Sequence, residues 1–491
     1  MDKNPLVSVI VPSYNCSQFL PKCLDAVKSS DYANYEIIVV DDASTDESPI
    51  IAQQSGARVI HMDKQSGPGA ARNIGTQHAK GDIYLFVDSD VVIKPDSISC
   101  VVSNFLNNPE VGALFGSYDD QPAAINFFSQ YKNLFHHFIH QTSHDEANTF
   151  WAGCGAVRKE VFHKVGGFDT INYTRPSIED IELGLRISKQ GYKILIVKEL
   201  QVKHLKKWGF WSLLRTDIFC RAVPWANLIL KSKEIPKGLN FQKSHLISSL
   251  CVGLLVGLGI FFLLEYKIFP FIPIGPFYYY IKLSAVIAFL IANFVVFYMR
   301  MFQLLDRGRY LRFLLPTLFS IVSGLGLTIS AFFFFNQKFL AFVPNTSFYY
   351  YLKFAILIGF LSISFSVFYL KIPYIKTRSL QWNTMIRTLF ILTASAVVTL
   401  SLIAFRSNFR HIGYNLIPSA AALYFTFILI TINILLLNSR LYIFFFRLKG
   451  FKFLFLAIFS HIFYYLYSGA TFVICWIINS VKKPSNTIKI D

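Results

Sequence analysis

The sequence predicts an α/β domain on a mostly parallel mixed sheet, followed by an all-α polytopic membrane domain of about seven helices. Three observations carry this prediction. Up to about Lys243, short runs that are apolar throughout alternate with polar, helix-forming stretches. Beyond that point, apolar stretches of about 20 residues follow one another, each long enough to cross a bilayer as a helix. Finally, polar clusters sit at the carboxyl ends of the short apolar runs, where open α/β sheets bind ligands.

The N-terminal elements follow in order. Val7 to Val11 is a strand, Ser17 to Ser29 a helix, and Glu36 to Val40 a second strand. A helix spans Asp46 to Gln54, a strand Ala57 to His61, a helix Gly69 to Ala79, and Ile83 to Val87 is a strand ending at Asp88. Strands apolar on both faces imply a sheet covered on both sides by helices. Pro12-Ser13-Tyr14-Asn15, Asp41-Asp42 and Asp88-Ser89-Asp90 all fall at strand carboxyl ends, and therefore on one edge of one sheet. The last tripeptide reads either as a solvated turn or as a hard oxygen site for Mg²⁺ or Mn²⁺ carrying a diphosphate. Gly67-Pro68-Gly69-Ala70-Ala71-Arg72-Asn73 lets backbone N–H groups approach an anion at a helix N-terminus, with Arg72 one turn in; the alternative is a tight helix start. It lacks the Gly-Lys-Ser/Thr ending of a phosphate loop.

The membrane half has candidate spans at about 244–264, 277–299, 313–335, 348–370, 388–405, 417–438 and 454–478. Loops at 300–312, 371–387 and 440–452 are basic and the intervening ones poorer, which places the basic loops and the N-terminal domain in the cytoplasm. Phe277-Tyr278-Tyr279-Tyr280-Ile281-Lys282 recurs as Phe348-Tyr349-Tyr350-Tyr351-Leu352-Lys353, 71 positions on, so these spans read as repeated helical hairpins. The Tyr clusters fit an aromatic belt. Ionisable residues are almost absent from the spans, which favours packing and anchoring over a transport path.

The chain has 491 residues, a net charge of +18 and 53% hydrophobic residues, and its mean hydropathy is +0.44. The positive charge crowds the junction, at Lys198, Lys203, Lys206, Lys207, Arg215, Arg221, Lys231, Lys233, Lys237 and Lys243, which fits anionic lipid and not nucleic acid as the partner. The N-terminal apolar run is about six residues and ends at Pro12, too short for a signal peptide. Seven Cys without metal-ligand spacing read as reduced thiols. The expected organisation is a catalytic-type domain over 1–205, a basic amphipathic interfacial segment over 206–243, a membrane domain over 244–480 and a tail over 481–491.

VSVIVPSYN, VVDDASTD, GPGAARNIG, LFVDSD, WAGCGAVRKEVFHKVGGFD and EDIELGLRISKQGYKI, in this order and spacing, resemble a family 2 glycosyltransferase of the GT-A fold over about residues 5–205. The resemblance implies a nucleotide-diphosphate sugar donor, a divalent metal (Mg²⁺ or Mn²⁺) and inversion at the anomeric carbon. Carried onto this sequence, it implies that Pro12, Tyr14 and Asp42 hold the nucleotide base and that Arg72 reaches the base or the phosphates. Asp88 would face the ribose or the metal, Asp90 would ligate the metal, and His204 would lie near the metal or the diphosphate. Asp180 would be the general base, beside Glu179, at a helix N-terminus that keeps carboxylates ionised. Trp151, Gly153, Cys154 and Gly155 would line the acceptor pocket.

Lys206-Lys207-Trp208-Gly209-Phe210-Trp211, with Arg221 and Trp225 further on, reads as an amphipathic interfacial helix that lays the active-site mouth on the membrane. The expected acceptor is therefore a lipid or lipid-linked molecule. Two rival readings stand beside this one. A processive polysaccharide synthase is the enzymatic rival, although Arg221-Ala222-Val223-Pro224-Trp225 lacks the adjacent Arg-Trp of QxxRW. The other rival is a membrane transporter or scaffold with a nucleotide-sugar-sensing domain.

Overall fold

The computed structural model describes residues 3–232, 245, 247–257, 430–431 and 434–481. Contacts divide the chain into two units, Met1–Gly253 together with Ile434–Asp491, and Leu254–Asn433. The first unit holds everything described below.

Its N-terminal half runs β1 (Val7–Ser13), α1 (Leu20–Lys28), β2 (Tyr35–Asp41), α2 (Ser48–Gln54), β3 (Arg58–His61), α3 (Pro68–His78) and β4 (Ile83–Val87). These are the expected elements, each shifted by a few residues at its ends. Then follow β5 (Val91–Val92), α4 (Ser97–Asn107), β6 (Val111–Tyr118), α5 (Phe127–Thr142), β7 (Glu146–Ala147), β8 (Cys154–Arg158), α6 (Lys159–Lys164), α7 (Glu179–Lys189) and β9 (Lys193–His204). The strand order is β3-β2-β1-β4-β8-β6-β9-β5, with β7 pairing β9. Strands β3, β2, β1 and β4 are parallel, and so is the β6–β9 pair, whereas β8 runs antiparallel between β4 and β6. The sheet is mixed as expected, but its parallel run stops at β4.

The strands are apolar on both faces because both faces are covered. Val7, Val9, Val11, Ile83, Leu85 and Val87 pack with Leu20 and Leu24 of α1 and Ile98 and Val101 of α4. The alternate residues Ile10, Tyr84 and Phe86 pack with Phe150, Phe162, Leu183 and Ile187 on the opposite face. Phe86 is fully buried, with ring centroids 5.3 Å from Phe168 and 5.7 Å from Phe162. Helix α7 reaches this layer through Gly184, where a Cβ would lie 2.2 Å from the Phe150 backbone nitrogen. Gly184→Ala is therefore expected to destabilise the domain by roughly 1–3 kcal/mol, read as a lowered thermal midpoint. An unchanged midpoint would contradict this packing.

After β9, the chain forms α8 (Phe210–Arg215), a π-helical stretch (Thr216–Ala222) and α9 (Val223–Ser232). The last described helix, α10 (Ser439–Val481), breaks at Gly450, whose φ of 75° is non-helical. Leu441, Tyr442, Phe445 and Ala457 of α10 pack on Tyr131 and Leu134 of α5. Tyr465 Oη donates to Asn438 Oδ1 (2.9 Å), and Asn438 Nδ2 donates to Ser248 Oγ (2.9 Å), which ties Ser248 through Asn438 to α10. Among the described residues, no helix is long and apolar enough to cross a membrane. The span expected at 454–478 falls inside α10 and is not borne out as a crossing. Part of this helix's surface is turned onto α5, and its apolar run is interrupted by buried His461 and Thr471. The spans at 277–299, 313–335, 348–370 and 388–405, the repeat within them, most of 417–438 and the end of 244–264 from 258 lie outside the described residues. So do 233–243 of the expected interfacial segment and the tail from 482.

Candidate active site

The parallel register of β2, β1 and β4 puts three polar clusters on one edge. Pro12 pairs with Val40, Ser13 with Asp41, and Ile10 with Phe86, two residues before Asp88. Pro12 is buried within β1, while Tyr14, just beyond it, is 42% exposed. Asp42 is buried, and its carboxylate accepts the backbone N–H groups of Ser66 (2.7 Å) and Gly67 (2.8 Å). The anion held at the start of α3 is thus the protein's own.

Arg72, buried on α3, bridges two carboxylates. Its Nη2 donates to Asp88 Oδ1 (2.6 Å) and its Nη1 to Glu179 Oε1 (3.1 Å), across 107 residues of chain. Burial works against its charge, but Asp88 and Glu179 outweigh this and hold the guanidinium protonated. Glu179 also accepts the Ser177 N–H at 2.9 Å, so it is fully engaged. The Asp88 carboxyl is raised, first by burial and then by Asp90, against the pull of Arg72.

Asp180, the expected general base, is the neighbouring carboxylate that Arg72 does not hydrogen-bond. It lies in the first turn of α7, where Oδ2 accepts the Ala152 N–H (3.1 Å) and Oδ1 the Ile181 N–H (2.8 Å). Burial, and then the charge of Glu179, push it up to about 7, with Arg72 and the two N–H groups opposing. A base poised near neutrality combines ionisation with appetite for a proton. The Arg72–Glu179 pair therefore both fixes the helix start and tunes Asp180.

Asp90 and His204 form the second cluster. His204, the last residue of β9, is buried, and its Nε2 lies 3.5 Å from Asp90 Oδ2. Burial would raise Asp90, but the His204 hydrogen bond and charge, with Lys206, hold it below the usual carboxylate range. Among the described residues, no three His, Cys, Asp or Glu side chains are grouped to hold a metal. The expected set of Asp88, Asp90 and His204 is not assembled, because Asp88 is turned to Arg72. Asp90 and His204 alone fit a divalent cation that takes its remaining ligands from phosphate oxygens and water, as Mg²⁺ commonly does.

Trp151 forms a wall beside Asp180. Its ring lies 4.9 Å from Tyr118 and 4.8 Å from His136, and Tyr118 stacks on His204 at 4.3 Å. A Cβ on Gly153 or Gly155 would strike Trp151 at 2.4 or 2.3 Å, so both glycines serve its placement. The Gly153 carbonyl also accepts the Asp88 N–H at 3.1 Å. Cys154 is fully buried opposite Val87, and burial pushes its thiol far up, which excludes it as a nucleophile. His136 and His140 of α5 are held neutral: burial lowers both, His140 to about 4. The sequence reading passed over Tyr118 and these histidines. The signal was His136-His137-Phe138-Ile139-His140, which places two histidines one helical turn apart on a face.

The basic aromatic segment divides in two. Trp208, expected at the acceptor side, is buried, and its backbone N–H donates to Ser129 Oγ of α5 at 2.7 Å. It anchors the segment rather than facing an acceptor. Trp211 and Phe219 are 76% and 66% exposed. Trp225 is half-buried in α9, and Arg221 is exposed on the π-helical stretch.

Residues 8–166 match the family model for Glycosyl transferase family 2. Glycosyltransferase GlyG of Streptococcus pneumoniae serotype 4 is 35% identical over 118 residues, 23% of this chain and 39% of that protein. Putative glycosyltransferase EpsH of Bacillus subtilis is 39% identical over 99 residues, 19% of this chain and 28% of that one. The chain thus spans less than half the length of these curated relatives. A solved mannosyltransferase, PcManGT from Pyrobaculum calidifontis in complex with GDP-Man and Mn²⁺, has a TM-score of 0.38 at 22% identity, over 48% of this chain and 66% of that one. Residues 8–166, which carry Asp42, Arg72, Asp88 and Asp90, are thus similar to family 2 glycosyltransferase domains.

Proposed function

We propose that the protein is a membrane-bound inverting glycosyltransferase that moves a sugar from a nucleotide-diphosphate sugar to a lipid or lipid-linked acceptor. The observation that carries the transfer reading is Asp180. It is a half-buried carboxylate near neutrality, fixed by Ala152 and braced by the Glu179–Arg72 pair, on the sheet edge that also presents Asp88 and Asp90. The nucleotide would lie over Pro12, Tyr14 and Asp42, and the diphosphate at Asp90 and His204. A divalent cation held there would neutralise charge on the leaving diphosphate as a Lewis acid. Asp180 takes the proton of the acceptor hydroxyl as its oxygen bonds to the anomeric carbon and the bond to the diphosphate breaks. Trp151 and Tyr118 form the apolar wall against which the acceptor packs.

The membrane reading rests on the apolar stretches beyond Lys243 and on the exposed Trp211 and Phe219 set among basic residues at the exit from the domain. By the positive-inside rule, the basic stretches at 300–312 and 371–387 would set the catalytic domain on the cytoplasmic side. The test is radiolabel from a nucleotide sugar incubated with full-chain protein in membranes. Label in the organic-extractable fraction supports the lipid acceptor, and label only in long water-soluble polymer overturns it in favour of a processive synthase.

Two further outcomes are expected. Because the folded Asp180 must be ionised to accept a proton, kcat/KM is expected to rise about tenfold per pH unit below about 7 and level off above it. A profile flat from pH 5.5 to 8 would contradict the assignment. Asp90→Ala is expected to abolish the EDTA-sensitive part of nucleoside diphosphate binding. Calorimetric isotherms that lose the same amount with EDTA in both proteins would contradict a metal at Asp90.

A further inference from the structure

A further charged cluster surrounds Arg221, away from the Arg72 and Asp90 groups. Asp217, in the π-helical stretch, is buried and accepts from three elements. Lys132 Nζ of α5 and Arg221 Nη1 each lie 2.8 Å from its Oδ1, and Tyr467 Oη of α10 lies 2.8 Å from its Oδ2. One negative charge is thus shared by two cations. The imbalance shows in Lys132. Burial and then the charge of Arg221 bring it down to about 8, although Asp217 pulls the other way. Asp217 itself is lowered to about 2: burial opposes its charge, and Lys132 and Arg221 overcome that. A buried site with surplus positive charge favours an incoming anion.

Arg221 is placed to meet one. Its side chain is 45% exposed, and among the described residues Asp217 is the hydrogen-bond acceptor that it has. Its other N–H donors therefore remain available. The charges of Tyr118 and Asp180 act on its guanidinium, and Tyr118 in turn stacks on His204. Arg221 thus lies within electrostatic reach of both Tyr118 and Asp180. A π-helical stretch is itself a common mark of a functional position. This stretch carries the exposed Phe219, and the preceding α8 the exposed Trp211, so an anion that arrives here with an apolar chain finds both charge and apolar surface.

We propose that Arg221 and Lys132, oriented by Asp217 and Tyr467, form a phosphate subsite on the acceptor side of Asp180 that takes the phosphate of a phosphorylated amphiphilic acceptor. This rests on the glycosyl-transfer reading above and adds the chemistry of the acceptor. Arg221 contacts the phosphate, and Asp217 and Tyr467 are positioning residues. Planar guanidinium suits bidentate phosphate binding, whereas Lys132 contributes as a point charge.

The test uses full-chain protein in detergent, with farnesyl phosphate, farnesol, inorganic phosphate and UDP plus Mn²⁺ as probes, read by calorimetry or thermal shift. Farnesyl phosphate is expected to bind at least tenfold more tightly than farnesol and to be displaced by inorganic phosphate. Arg221→Gln should weaken farnesyl phosphate at least tenfold while leaving UDP within twofold. Lys132→Met should weaken it as well, which keeps the test decisive if Arg221→Gln fails to fold. Tyr467→Phe should weaken it a fewfold, and Arg221→Lys should restore part of the loss seen in Arg221→Gln. Unchanged farnesyl phosphate affinity in Arg221→Gln or Lys132→Met overturns the subsite. So does a loss that falls on UDP instead, since the anion would then be the donor's diphosphate. Binding is read without turnover, so failure here leaves the role of Asp180 standing, and failure of Asp180 leaves this difference measurable.

Discussion

Asp180→Asn is expected to lower transfer by about 10²–10⁴-fold, the contribution of a positioned general base, while nucleoside diphosphate still binds. The amide keeps the shape of the side chain and can still accept the Ala152 N–H, but it takes no proton from an acceptor. A second readout separates lost chemistry from lost structure. The folded protein raises this carboxyl from 3.8 to about 7. Protonated Asp180 is therefore favoured by folding, and that contribution is present at low pH and lost as pH rises through about 7. Above pH 7 the wild type carries a half-buried charge that the Asn variant lacks. The variant should thus be at least as thermally stable at pH 8, while inactive. A variant that is inactive and markedly less stable would point to a structural role.

Arg72→Met has the largest expected effect on stability. Arg72 is the shared partner of Asp88 and Glu179, both close to further carboxylates at Asp90 and Asp180. Removing the cation leaves the buried Glu179 carboxylate, and the half-buried Asp88 beside it, without their partner, at a cost of about 3–5 kcal/mol for the buried one. Arg72→Lys should recover only part of this, because an ammonium cannot span both carboxylates as the guanidinium fork does. Denaturant midpoints measured at pH 8 and pH 5 check the account. The loss should be larger at pH 8, where the carboxylates are charged. A loss of under 1 kcal/mol, independent of pH, would contradict the bridge.

The N-terminal half of this fold was legible because its signals are local. Val7 to Val11, but for Ser8, and Ile83 to Val87 are apolar, helices separate them, and Asp42 and Asp88 stand one or two residues past strand ends. The placement of Asp180 at a helix start was equally local, since Glu179, Asp180 and Glu182 gather in one first turn. What sequence reasoning missed depends on pairs far apart in the chain. Nothing near Arg72 indicates that its partners are Asp88 and Glu179 rather than a ligand. The reversal of β8 between β4 and β6 follows from Gly155 and Ala156 fitting against Phe86 and Leu85, a match that no periodicity shows. Trp208 looked like an interfacial residue because Lys206, Lys207 and Trp211 surround it. Its burial depends on Ser129 and Asn126, some 80 residues earlier. The Lys132–Asp217–Tyr467 contacts join three such distant elements.

The most direct test of the central claim is release of nucleoside diphosphate by full-chain protein in membranes, over a panel of UDP-, GDP- and dTDP-sugars with Mn²⁺, compared between wild type and Asp180→Asn. The account predicts EDTA-sensitive release by the wild type with at least one donor, and release from that donor reduced at least a hundredfold in the variant. Wild-type rates of release by Asp180→Asn, or no release from any donor by folded wild-type protein, would contradict it.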